Sequence, residues 1–214
     1  MTTGGEGGML TTNDKAVWER AWSFKDHGKS FDAVYNREHP PGFRWLHESF
    51  GTNWRMTEMQ AAIGRIQLRR LPEWKRVRQA NAAILTECFK KIPALRVLDV
   101  PEEFDHAYYK YYVFIRPEIL TQSSVISDQS PVSLRDEIMN AITAEGIPCF
   151  SGICPEIYLE KAFVDAGFGP AGRLPNAKTL GETSLLFLVH PTLGEVGMNA
   201  TCRAVEKVML EAGA

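Results

Sequence analysis

The sequence contains few cysteines, and none are spaced as metal or redox sites require. The four cysteines, Cys88, Cys149, Cys154 and Cys202, form no C-x-x-C pair, and no histidine stands at zinc-ligand spacing. We therefore expect no metal site. Cys88 and Cys202 fall within helical patterns, so we expect reduced and mostly structural thiols, as is typical of a cytoplasmic protein.

Long apolar runs and an excess of one charge are also absent. No apolar run approaches the roughly 18 residues of a membrane-spanning helix, and no segment resembles a secretory signal peptide. The net charge of −2 offers no broad attraction for nucleic acid or anionic membrane. With 44% hydrophobic and 23% charged residues, the composition is that of an ordinary globular protein. We expect a cytoplasmic protein that recognises small molecules or proteins, and neither nucleic acid nor membrane.

The order of apolar residues predicts a mixture of helices and strands, which favours an α/β or α+β protein over a repeat protein. Strands are predicted at residues 9–12, 95–100, 108–115, 147–150 and 185–189. Helices are predicted from Asn13 or Asp14 onward, at 57–92, at 133–146 and at 198–209. Pro72 predicts a break or kink in the second helix, and residues 121–131 predict a serine-rich linker.

Residues 25–52 predict a long irregular segment, because polar residues, prolines and a glycine interrupt it. Its aromatic residues need burial, which favours a partner surface. They are Phe31, Tyr35, Phe43, Trp45 and Phe50.

A short motif before the second helix has the chemistry of an anion site. Gly51 allows an unusual turn, Asn53 offers an amide donor and Arg55 supplies a planar cation. All three precede a helix start, marked by a capping box from Thr57 to Gln60, where the helix dipole is positive. The motif therefore predicts contact with a phosphate. For Arg55, an ion pair that holds the loop explains the residue equally well.

Three segments resemble the DegT/DnrJ/StrS family of sugar aminotransferases, which use pyridoxal phosphate (PLP). The first is Thr-Thr-Gly-Gly-Glu-Gly-Gly at residues 2–8, which by composition is also typical of a flexible tail. The second runs from Gly51 through Gly-x-Asn-x-Arg-Met and Gln-Ala-Ala-x-Gly to Gln-Leu at 67–68. The third is Asp26-His27-Gly28, where a hydrogen-bonded pair with a structural role is favoured.

The resemblance implies an α/β fold, the C-terminal part of a type I PLP-dependent transferase. Residues 1–56 would be a remnant of the large PLP-binding domain, 57–92 the linking helices and 93–214 a small α+β domain. In the family the asparagine corresponding to Asn53 reaches the PLP phosphate of the partner subunit in a homodimer. Asn53 and Arg55 are thus the predicted cofactor-binding residues, with PLP as cofactor.

The same resemblance places the lysine that forms the Schiff base just upstream of Met1, so no catalytic residue is expected in this chain. The full enzyme would convert a nucleotide-linked keto-sugar to an amino-sugar with glutamate as amino donor, in lipopolysaccharide or other polysaccharide synthesis. This chain alone would be inactive. The alternative is a non-catalytic module derived from the family, for dimerisation or nucleotide-sugar binding.

Four further residues are predicted to contact the substrate. His106 precedes a tyrosine-rich strand and His190 ends another strand, at points where the family places polar groups near the nucleotide sugar. Glu156 and Tyr158 are candidates for the sugar or nucleotide. Structural roles, such as helix capping and core packing, explain these residues as well.

Overall fold

The computed structural model describes residues 3–120 and 133–214, so the linker predicted at 121–131 lies outside the described residues. The chain divides into two compact units, residues 2–71 and residues 72–214. The predicted division at 56/57 and 92/93 stays a prediction.

The first unit contains two short helices and the beginning of a long one: α1 (Lys15–Lys25), α2 (Phe31–Tyr35) and α3 (Glu58–Phe89). Oδ1 of Asp14 accepts from the N–H of Ala16 at 2.8 Å, which confirms the predicted N-cap. The strand predicted at residues 9–12 is wrong. No strand within the described ranges pairs with this segment, and an unpaired strand leaves its backbone groups without partners.

Helix α3 begins with the predicted capping box. The N–H of Gln60 donates to Oγ1 of Thr57 at 3.3 Å, and the N–H of Thr57 donates to Oε1 of Gln60 at 3.1 Å. The break predicted at Pro72 is wrong, because α3 continues through it to Phe89, and the kink predicted as its alternative stays a prediction. A proline removes a single helical N–H, and the neighbouring turns keep their hydrogen bonds. The division between the two units nevertheless falls between Leu71 and Pro72.

The second unit is built on one antiparallel sheet. Its strands are β1 (Leu95–Val97), β2 (Tyr111–Ile115), β3 (Cys149–Phe150) and β4 (Ser184–Phe187), in the order β1-β2-β4-β3. Opposite residues include Leu95 and Ile115. The predicted strands are confirmed but shorter. Tyr108 lies outside β2 because its backbone is left-handed, with φ of 43°.

Helices α4 (Leu134–Ala144), α5 (Lys161–Asp165), α6 (Pro175–Thr183) and α7 (Gly194–Glu211) complete this unit, with a short 3₁₀ helix at Ile157–Leu159. One core cluster joins α3, α4 and α7 to the sheet. Phe89 is fully buried there, with its ring centroid 5.3 Å from that of Phe187. The C-terminal half of α3 therefore belongs to this core.

All four cysteines are free thiols, and three are buried. Burial raises the pKa of the Cys149 thiol to about 12, so this group stays protonated and inert. Across residues 3–120 and 133–214, no cluster of His, Cys, Asp and Glu side chains is arranged to hold a metal ion. Within the same ranges no helix has the length and apolar character to cross a bilayer.

Candidate functional site

The loop that carries Asn53 is pinned by its backbone to the end of α1. The N–H of His27 donates to the carbonyl of Thr52 at 3.0 Å, and the N–H of Trp54 donates to the carbonyl of Lys25 at 2.9 Å. Asp26 and Asn53 face each other across this small antiparallel bridge. The Asp-His-Gly motif thus has a structural role, since its backbone holds the loop in place.

Two glycines allow these segments to approach so closely. Gly28 has φ of +83°, and a Cβ there would lie 1.8 Å from the carbonyl oxygen of Ser49. A Cβ on Gly51 would lie 2.4 Å from the nitrogen of Gly28. No side chain fits at either position, which explains the glycine in each motif.

We expect Gly28→Ala to loosen this loop. The left-handed backbone alone costs an alanine about 1–2 kcal/mol, and the clash with Ser49 adds to that cost. The N–H groups of His27 and Trp54 should therefore exchange with solvent roughly tenfold faster. Hydrogen exchange read by mass spectrometry measures this change. Gly172→Ala is the matched control, because a Cβ there meets nothing within 4 Å. Equal exchange in the two variants would contradict the expectation.

A compact charged group lies on this bridge. Nζ of Lys29 donates to Oδ1 of Asp26 at 3.2 Å, and Nε of Arg55 lies 3.5 Å from the same oxygen. Burial of Asp26 opposes its ionisation, but Lys29 and the nearby cations outweigh burial, and the pKa of this carboxyl lies below its usual value. Within the described residues the Asp26 carboxylate contacts this lysine and arginine and forms no hydrogen bond with the His27 ring. The group carries a net positive charge.

Arg55 also contacts Asn53, the residue that is predicted to bind the phosphate. Nε of Arg55 donates to Oδ1 of Asn53 at 3.2 Å. Among residues 3–120 and 133–214, no group accepts from Nδ2 of Asn53 or from the terminal guanidinium nitrogens of Arg55. Both side chains are exposed. The geometry bears out the loop-holding ion pair for Arg55 and leaves donors on both residues available to an anion.

An aromatic cavity of about 870 Å³ adjoins this loop within the first unit. Arg55 and Lys25 contribute its cations. Trp18, Trp22 and Trp54 contribute aromatic walls. A cavity with this lining is suited to a ligand that has an apolar or aromatic part and a negatively charged group next to it.

Several aromatic side chains of residues 25–52 remain uncovered within their unit. Phe50 is 99% exposed and Trp45 is 85% exposed. Phe31, by contrast, packs edge-on against Trp22 with ring centroids 5.2 Å apart. The uncovered rings agree with the predicted need for a partner surface.

His106 lies at a second cavity, of about 510 Å³, in the second unit. Its Nδ1 accepts from the N–H of Tyr108 at 3.2 Å, and the two rings meet edge-on at 4.3 Å. Tyr109, Tyr111 and Tyr112 also line this cavity. His106 therefore stands at the rim of an aromatic groove.

Sequence reasoning missed the residue that holds this segment. Arg78 of α3 is 5% exposed, and its Nη1 donates to the carbonyls of Tyr108 at 3.2 Å and Tyr109 at 2.9 Å. Burial lowers the pKa of Arg78, since the described residues supply no carboxylate beside it. Arg78 lies one helical turn before Asn81 and Ala82, on the buried side of α3. This spacing could have predicted from the sequence that Arg78 is buried.

His190 is exposed and makes local contacts. Its Nδ1 lies 3.0 Å from Oγ1 of Thr192, and its carbonyl accepts from Nδ2 of Asn81 at 3.2 Å. Within the described residues no hydrogen bond or ring contact joins His190 to His106. The structure thus places the two histidines separately on the second unit.

Glu156 and Tyr158 lie together, in a group of side chains that are hydrogen-bonded to one another and to Arg173. Glu156 is 6% exposed, and its carboxylate accepts from two guanidinium nitrogens of Arg173 and from the hydroxyl of Tyr158. The Tyr158 oxygen in turn accepts from the N–H of Leu174 at 2.9 Å. Arg173 and Tyr158 lower the pKa of Glu156 to about 2. These partners occupy the carboxylate, and its predicted substrate contact stays a prediction.

Comparison with known proteins identifies the family. The sequence pattern of the DegT/DnrJ/EryC1/StrS aminotransferase family matches residues 1–206. The chain belongs to this family. The structure of the aminotransferase from Psychrobacter cryohalolentis is similar over 100% of the chain and 54% of its own length, with 50% identity and a TM-score of 0.89.

Other family members match at lower identity. The spore coat polysaccharide biosynthesis protein SpsC of Bacillus subtilis is 27% identical over 96% of the chain and 50% of its own length. The dTDP-3-amino-3,4,6-trideoxy-alpha-D-glucose transaminase of Streptomyces venezuelae is 26% identical over 88% of the chain and 42% of its own length. The chain spans about half the length of these relatives. The predicted fold class is confirmed as a partial α/β fold of the kind found in PLP-dependent aminotransferases.

Proposed function

We propose that this chain is the C-terminal part of a PLP-dependent aminotransferase that converts a nucleotide-linked keto-sugar to an amino-sugar, with glutamate as amino donor. Family membership and coverage of about half of each relative support the proposal. The relatives include a dTDP-linked and a GDP-linked sugar enzyme by name. We further propose that the enzyme is a cytoplasmic homodimer that serves polysaccharide synthesis, such as that of lipopolysaccharide.

The proposal depends on one observation, the hydrogen-bond donors of Asn53 and Arg55 on the loop that is held against the end of α1. Asn53 and Arg55 present N–H groups with no acceptor in the described part of the chain, beside a net positive charge. This donor set fits the phosphate of PLP. Bound PLP supplies the electron sink for amino-group transfer. The loop's part is to bind and orient the phosphate, across the dimer interface by family resemblance.

For the substrate, we propose that the groove at His106 takes part of the nucleotide sugar. Its tyrosine rings offer stacking surfaces for a planar base. His190 presents a ring edge that hydrogen-bonds to a hydroxyl, here that of Thr192. We also propose that Glu156 and Tyr158 contact the substrate, from the outer side of the hydrogen-bonded group that they form with Arg173.

We propose that the chain alone is inactive, because its lysines near the loop have other roles. Lys29 is paired with Asp26 at 3.2 Å, and Lys25 lies over the Trp22 ring at 5.1 Å. Lys15 is 85% exposed at its side chain and lies near Glu19. By the family resemblance the phosphate that this loop binds belongs to the partner subunit's cofactor, so we propose that none of these three lysines forms the Schiff base.

Two samples test this proposal. The first is the isolated chain, and the second is a chimera in which residues 2–214 replace the matching part of the Psychrobacter aminotransferase. With PLP and borohydride, the chimera should trap one cofactor on one lysine, while the isolated chain should trap no stoichiometric amount on any single lysine. Formation of 2-oxoglutarate from glutamate and dTDP- or GDP-linked keto-sugars then reports activity. A single trapped lysine in the isolated chain would contradict inactivity.

The exposed aromatic residues favour one alternative, a non-catalytic module for dimerisation or nucleotide-sugar binding. Trp45 and Phe50 have the uncovered surface that a self-association interface needs. A chimera without PLP binding, together with an isolated chain that sediments as a dimer, would favour this alternative.

A further inference from the structure

The amide of Asn53 is oriented by a cation, and that cation is held by a buried carboxylate. Arg55 donates from Nε to Oδ1 of Asn53 at 3.2 Å, and the same nitrogen lies 3.5 Å from Oδ1 of Asp26. We propose that Asp26 and the Nε group of Arg55 position Asn53, turning its N–H groups toward the phosphate of the cofactor, while the terminal nitrogens of Arg55 stay available to the same anion. This inference rests on the proposed function and deepens it.

The direction of the amide follows from donor chemistry. Nε of an arginine only donates, so the atom of Asn53 that meets it must be the acceptor, Oδ1. The amide nitrogen then points to the opposite side of the planar group. Without Arg55, the amide is free to turn over and to present its oxygen to the phosphate, which repels it. The arginine thus decides whether Asn53 attracts or repels an anion.

Asp26 makes this orientation rigid. It is 8% exposed, whereas Asn53 and Arg55 are exposed, so the carboxylate is the buried end of the group. Lys29 donates to the same oxygen, Oδ1, at 3.2 Å, and the backbone of Asp26 forms the bridge to Asn53. The residue that supplies the carboxylate and the residue whose amide it orients are therefore joined by the same backbone bridge.

Replacing Asp26 changes the charge of the loop and the orientation of Asn53 with opposite effects on phosphate binding. Asp26→Asn removes a negative charge, and long-range electrostatics alone would then make the loop bind a phosphate more tightly. If Asp26 acts by positioning, the same variant binds the phosphate more weakly. The two explanations predict changes of opposite sign. Arg55→Lys keeps the charge and loses the planar Nε donor, so it should also weaken binding.

The experiment uses the chimera that contains the full chain. The measured quantity is the ratio of the dissociation constants for pyridoxal and PLP, which isolates the contribution of the phosphate from that of the ring. Absorbance titration gives both constants, and the ³¹P resonance of bound PLP reports the phosphate environment independently of activity. Asn53→Ala should lower the ratio about tenfold. Asp26→Asn and Arg55→Lys should each lower it about threefold to tenfold.

A double variant separates positioning from other effects. In the Asn53→Ala background, Asp26→Asn should change the ratio no further, because the group that it orients is gone. Asp32→Asn is the matched control, an aspartate of the same unit that is 56% exposed at its side chain and pairs with Arg37 at 2.7 Å. It should leave the ratio and the ³¹P resonance unchanged.

The possible outcomes separate failure of the positioning role from failure of the proposed phosphate contact. Tighter phosphate-dependent binding by Asp26→Asn, no change, or an additive loss in the double variant would overturn the positioning role and leave the proposed function standing. A wild-type chimera whose affinity for PLP does not exceed that for pyridoxal would overturn the proposed phosphate contact, and this inference with it.

Discussion

Replacing Phe89 by alanine should lower the free energy of unfolding of the second unit by about 3–5 kcal/mol. The side chain is fully buried, and its ring lies 6.0 Å from that of Tyr111 and 5.3 Å from that of Phe187. Removing it leaves a cavity between α3 and the sheet in addition to the lost apolar burial. Because Phe89 ends α3, the variant also tests whether this helix is fixed by the core of the second unit.

Denaturant unfolding monitored by circular dichroism measures this change. Phe168→Ala provides the matched control, since Phe168 is 77% exposed, and it should shift the free energy of unfolding by less than about 0.5 kcal/mol. A loss below about 1 kcal/mol for Phe89→Ala would show that the core described around the sheet is not formed in solution.

Replacing Glu156 by glutamine should lower the melting temperature in a manner that depends on pH. The folded pKa of Glu156, about 2, lies below its ordinary value of 4.5, so the ionised carboxylate stabilises the folded chain. This contribution is fully present above pH 4.5 and is lost as the pH falls toward 2. The difference between wild type and variant should therefore be largest near neutral pH and should shrink between pH 4.5 and 2.

The partners of Glu156 explain why the effect should be substantial. Glutamine cannot neutralise the guanidinium of Arg173, which among the described residues would retain only Glu182 as an ionic partner, at 3.0 Å. Glu118→Gln serves as the control, because Glu118 is exposed. Melting curves from pH 2.5 to 8 measure both variants. A difference from wild type that does not change across this range would exclude ionisation of Glu156 as its cause.

Local features were predicted correctly where a few neighbouring residues determine them. Asp14 caps α1, Thr57 and Gln60 cap α3, and Ser133 caps α4, as the residue types predict. These hydrogen bonds close within three residues along the chain, so no tertiary information is needed.

Predictions failed where a distant partner decides the local structure. Residues 9–12 have strand character but no neighbouring strand within the described ranges. Tyr108 leaves the predicted strand with φ of 43°, where Arg78 of α3 binds its carbonyl at 3.2 Å. Propensity is a weak guide at such positions because packing overrides it.

The sequence by itself determined the family, the mixed α and β composition and the identity of Asn53 and Arg55 as the polar residues of a loop before a helix. A motif suffices for these conclusions because they depend on residue type and short spacing. Only the tertiary structure decided that Asp26 holds Arg55 and that Arg173 closes on Glu156, 17 residues away. Charges interact over a few ångströms in space regardless of their separation along the chain, so their pairing is set only when the backbone has folded.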